Sequence, residues 1–156
     1  MSSIRLFSFL LFFALGLISL QLVSGIWLFI EKFGLIPSDI YIYFAGSEEQ
    51  FIMKKSFEGL LETAVPHFLA ISTTIFVYAH FLLFTKIIST QQKQLLISSL
   101  FISALIDICS PFGIIYGFEF FAWVKLIAFW SFEMLMGLLL YILFYASLKG
   151  LQNEGL

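Results

Sequence analysis

A small set of ionisable side chains and prolines, embedded in long apolar runs, holds what chemistry this sequence can offer. The stretch Ser56 to Lys86, SFEGLLETAVPHFLAISTTIFVYAHFLLFTK, carries Glu62, Pro66 and both histidines of the chain, His67 and His80. Asp107 and Pro111 lie in the next apolar run, and Lys125 and Glu133 in the one after. Carboxylates and imidazoles take up protons and ligate metals, and neutral imidazole is a common iron ligand. Inside hydrocarbon such groups persist only where something compensates them, which makes each a functional candidate.

The composition says that hydrocarbon is the setting. Of 156 residues, 61 % are apolar and 12 % charged, against about half and about a quarter in a soluble domain. With 21 Phe, the apolar surface exceeds what one small core can hide, so lipid must solvate much of it. A net charge of -2 without basic clusters leaves no footprint for nucleic acid. The single cysteine, Cys109, excludes an internal disulfide and multi-cysteine metal centres, and reads as a small apolar helix residue. There is no phosphate-binding glycine loop, nucleophile elbow or His-Glu-x-x-His, so a non-enzymatic protein is expected.

Four spans position the polar residues within one all-α membrane domain covering 1–156. The first, about 5–30, opens at Arg5 and is too long for a signal-peptide core, which runs to about 15 residues; Trp27 fits an interfacial anchor. The loop 31–58 contains a turn signal, Pro37-Ser38-Asp39. Its Ser47-Glu48-Glu49-Gln50 reads as a capping box opening a short interfacial helix, with Phe51 and Ile52 set against Lys54 and Lys55. The remaining spans are about 59–85, 95–115 and 120–148. A polar turn from Lys86 to Gln94 separates the second from the third, and Gly117-Phe118-Glu119 makes a tight connection into the fourth. Arg5, Lys86, Lys93 and Lys149 gather at one end, so the positive-inside rule places both termini in the cytoplasm of a bacterial inner membrane. Tyr116 and Trp123 at one face and Tyr145 at the other fit aromatic belts.

A rise of about 1.5 Å per residue turns these boundaries into depths. His67 lies about 12 Å below Gly59, and His80 about 31 Å, in the other leaflet. Asp107, about 18 Å up from Leu95, shares the level of His67, as does Gln21 on the first span; Lys125 is about 7 Å and Glu133 about 20 Å below Phe120. The prolines mark the same level: each frees the carbonyl four residues earlier, Glu62 for Pro66 and Asp107 for Pro111. The expectation is an outer-leaflet pocket in which Asp107 and His67 bind a proton or metal ion. Lys125 would be its counter-charge, Glu62 its entrance acid and Glu133 an inward extension.

A blander account is that Asp107 and Lys125 form a structural ion pair and that His67 bonds Gln21 or Ser110. Such intramembrane hydrogen bonds contribute about 0.6 kcal/mol on average. A b-type haem is a further option, since four-helix bundles house haem between facing helices. His67 and His80 are some 140° apart at about 100° per residue, so they cannot share one iron. The second ligand would be Met134 or Met136 opposite His80, Lys125 near His67, or the same histidine of a second copy.

The run Lys55-Ser56, Leu61-Glu62, Pro66-His67 and His80-Phe81-Leu82 resembles the second helix of small bacterial four-span membrane proteins bearing Glu and His, which are similar to membrane b-type cytochromes. That resemblance implies a redox subunit passing electrons to or from quinone. Three readings therefore stand: a polytopic inner-membrane protein binding a proton, metal ion or small cofactor in transport or as an accessory subunit; a haem redox subunit; or a structural anchor or assembly factor. The partners implied are the lipid bilayer and a homo-oligomer or larger membrane complex.

Overall fold

Where the apolar runs were continuous, helices formed. The computed structural model describes residues 3–152, with side chains from 9 to 149. Its elements are α1 (Ser3–Phe33), α2 (Pro37–Ala45), α3 (Phe57–Phe84), α4 (Thr90–Ile115) and α5 (Phe120–Gln152). All but α2 are long and apolar enough to cross a membrane. The side chain of Arg5 and the tail from Gly150 lie outside the described side chains.

The ends of the helices follow local chemistry. Ser56 caps α3 by accepting from the Gly59 N–H (3.0 Å). Ser89 and Gln92 form a reciprocal capping box that opens α4 at Thr90, so Gln91 to Gln94 form its first turn. The third span therefore starts about one turn before residue 95, because the cap satisfies the exposed N–H groups that a polar turn would have left to water. Between α4 and α5, Gly117 takes φ +91° and its N–H bonds the Ile114 carbonyl (2.9 Å), closing the hairpin in a conformation that other residues resist.

The extramembrane loop is helical elsewhere than expected. Pro37-Ser38-Asp39 is no turn; Pro37 sits in the first turn of α2, where its missing N–H costs nothing and its fixed φ suits the helix. Ile40 and Phe44 then bury against the bundle. Residues 47–52 do not continue as a helix. Ser47 and Ile52 pair as an isolated antiparallel bridge, and Phe51 turns back with φ +54°.

Helix α5 is central: the backbones of α1, α2, α3 and α4 all approach it, whereas among the described residues that of α1 approaches only α5 and α2. Two apolar clusters stack along the bundle. Near α2 lie Phe29, Ile40, Phe44, Leu60, Ile114 and Phe129. Toward the termini lie Leu15, Ile75, Leu82, Leu100, Leu139 and Leu143, with the Tyr78 hydroxyl donating to the Ala14 carbonyl (2.9 Å) across from α3 to α1. Leu17, Leu69 and Phe76 stay about two-thirds or more exposed, as a face solvated by lipid must.

Candidate functional site

Helices α1 and α5 run antiparallel and meet along one stripe each. Residues four apart share a helix face, so Gly25, Phe29 and Phe33 oppose Glu133, Phe129 and Lys125. The Phe29 and Phe129 rings stack at 3.8 Å and 9°. A Cβ on Gly25 would stand 3.6 Å from Glu133 Oε1. Lys125 Nζ lies 5.7 Å from the Phe33 ring and 5.8 Å from the Phe29 ring. A stacked aromatic pair thus separates an ammonium above from a carboxyl below.

From the other side α4 supplies the partner for Lys125. Its Nζ donates to Asp107 Oδ1 at 2.7 Å and to the Asp107 carbonyl at 3.2 Å. That carbonyl is the one Pro111 deprives of its helical donor, and the Ser110 hydroxyl also donates to it (3.0 Å). The ion pair is enclosed, with side-chain exposures of 9 % for Lys125 and 16 % for Asp107. Lys125 is therefore held by a carboxylate, a released carbonyl and two ring faces, which together compensate a buried cation.

Depth distinguishes the two levels. The Phe120–Lys149 span has its midpoint between Met134 and Leu135. Glu133 lies eight residues, about 12 Å, further along α5 from the Gly117 hairpin than Lys125, and so deeper in the span. Glu133 Oε2 is buried with no hydrogen-bond partner. A carboxyl inside a membrane-spanning helix with an oxygen left over is the least compensated polar group of the site.

The other expected members stand apart. His67 is exposed on α3, and its Nδ1–H donates to the Thr63 carbonyl of its own helix (2.8 Å), not to Gln21 or Ser110. Glu62 and Gln21 are also exposed. His67 does not join Asp107, because α3 turns that face outward and buries Leu60, Ala64 and Ile75 instead. His80 is exposed too, flanked by Phe76 (6.4 Å) and Phe84 (5.1 Å). Met136 is buried in the core and Met134 faces outward at 74 % exposure. A haem on either histidine would thus lie on the outer face of the bundle. Among the described residues no group of three His, Cys, Asp or Glu side chains is arranged to hold a metal ion.

The family model for a transmembrane helical domain, Aq_1264_TM, matches residues 34–154. The chain belongs to that family. No curated protein and no solved structure matches it. With four apolar spans, this Aq_1264_TM domain is a multi-pass membrane protein in contact with lipid. The matched segment takes in α2 to α5, and with them Asp107, Lys125 and Glu133; Gly25, Phe29 and Phe33 on α1 precede it.

One buried lysine of the Aq_1264_TM domain escaped the sequence reading. Lys93, placed above in a polar turn, is buried, and its Nζ donates to the carbonyls of Leu83 (3.1 Å) and Thr85. It caps the C-terminus of α3 from α4, the end where a cation is favoured. Its sign was available: a lysine on the first turn of a helix whose antiparallel neighbour has just ended.

Proposed function

We propose that the protein takes up a proton within the bilayer, as a transport protein or an accessory subunit of a larger membrane complex, and that Glu133 is the group that carries it. The observation that carries the reading is the Glu133 carboxyl: well inside a membrane-spanning helix, facing Gly25, with Oε2 buried and unpartnered. Asp107 and Lys125 form the fixed pair nearer the α4–α5 hairpin, and the Phe29–Phe129 stack divides the two levels. A small cation on the same oxygen would use the same chemistry; a proton fits better, since it needs one ligand and a metal ion several. In this reading the protein sits in a bacterial inner membrane with both termini cytoplasmic, the side on which Lys86, Lys93 and Lys149 gather.

The test is infrared difference spectroscopy on the protein in phosphatidylcholine vesicles, stepping between acid and alkaline buffer. A carboxylic-acid C=O band that responds to the step in the native chain and is missing in Glu133→Gln supports the assignment. The same band in both proteins overturns it. Sodium in place of the pH step distinguishes a cation from a proton.

A further inference from the structure

Below the level of Glu133, α1 and α5 part and leave a groove of about 490 Å³ between them. Phe12, Gly16 and Val23 line one wall, and Gly137, Leu140 and Tyr141 the other. Neither Gly16 nor Gly137 has a heavy atom within 4 Å of where its Cβ would be, so the floor is open space and not a tight helix contact. The only hydroxyl on the α1 wall, Ser19, is already spent on the Leu15 carbonyl (2.7 Å). What fills this groove must be apolar and thin.

We infer that the groove seats one acyl chain of an anionic bilayer phospholipid from the leaflet on the side of the termini. Length is the first reason. From Phe12 to Val23 the groove runs about 16 Å, and half of a hydrocarbon core of about 30 Å is about 15 Å. Position is the second. Gly137 lies about 4 Å past the midpoint of the Phe120–Lys149 span and Tyr145 about 16 Å past it, so the groove begins near the midplane and ends at the headgroups of that single leaflet. Charge at the open end is the third. Tyr141, Tyr145 and Lys149 follow one another at intervals of four, and Lys149 Nζ lies over the Tyr145 ring at 4.8 Å. The Tyr145 ring and the Lys149 cation at headgroup level suit a phosphate with no neutralising choline. A transmembrane helix of a second chain would need the groove to continue into the other leaflet, where the Phe29–Phe129 stack closes it.

The probe is dioleoyl phosphatidylglycerol, titrated into the detergent-purified chain and counted by native mass spectrometry against dioleoyl phosphatidylcholine. The native chain is expected to hold one phosphatidylglycerol in preference to phosphatidylcholine. Gly137→Leu, and independently Gly16→Leu from the facing wall, should lower that retention by about tenfold, equivalent to about 1.4 kcal/mol. Lys149→Ala should abolish the preference but keep a lipid bound. Circular dichroism confirms that each variant keeps its helices; two differently placed variants protect against a folding failure in one. Unchanged retention in both leucine variants overturns the inference, as does a dimer of the native chain that either variant dissociates without loss of lipid.

Discussion

Removing one partner of the Asp107–Lys125 pair distinguishes a buried ion pair from an ordinary intramembrane hydrogen bond. Lys125→Met keeps the length of the side chain and removes its charge, leaving the largely enclosed Asp107 carboxylate without the Lys125 donor at Oδ1. Stranding a buried charge costs about 3–5 kcal/mol, whereas an average intramembrane hydrogen bond contributes about 0.6 kcal/mol. Asp107→Asn should cost less than Lys125→Met, because Lys125 retains the Asp107 carbonyl at 3.2 Å and the two rings. In Asp107→Asn with Lys125→Met no charge is stranded, so the double variant should be more stable than Lys125→Met alone. Reversible unfolding in mixed micelles, followed by helical circular dichroism, measures all three. If each single variant costs only about 0.6 kcal/mol and the two effects add, the pair is not functioning as a compensated ion pair.

Other perturbations follow from the geometry. Lys93→Met should destabilise the chain by about 1.5–3 kcal/mol in the same unfolding assay, since it removes a charged donor from two carbonyls at the end of α3. Gly113→Ala would place a Cβ 2.5 Å from the Phe121 ring, so the α4–α5 hairpin must shift; a loss of about 1–3 kcal/mol is expected, read as a lower thermal midpoint. His67→Ala should leave stability within about 0.5 kcal/mol, because the ring is exposed and bonds only its own helix; a larger loss would show that it has a partner across the bundle.

The spans were readable because lipid demands length and apolarity, and both are properties of the chain itself. The Asp107–Lys125 meeting was readable too: two residues counted from a tight hairpin must arrive at similar depth, and Pro111 marked the carbonyl that Lys125 reaches. Azimuth was not readable. A helix that is apolar all round gives no pattern to say which stripe faces inward, so His67 and Asp107 could be assigned one level but not one side. The position of α2 was missed for a different reason. Proline before Ser-Asp is equally the start of a turn and the first turn of a helix, and burial of Ile40 and Phe44 against the bundle decides for the helix. The pairing of Glu133 with Gly25 depended on the register between the first and last spans, which only packing sets.

That α1 rests on α5 has a consequence for assembly in the cell. Helix α1 leaves the ribosome before α5 and must remain in lipid without its main neighbour until α5 has been inserted, since Phe129 cannot oppose Phe29 before then. Its predominantly apolar surface makes that wait tolerable. A nascent chain stalled before α5 would thus hold α1 by little more than α2 and the Tyr78–Ala14 bond, and such a fragment is what a membrane quality-control protease would encounter.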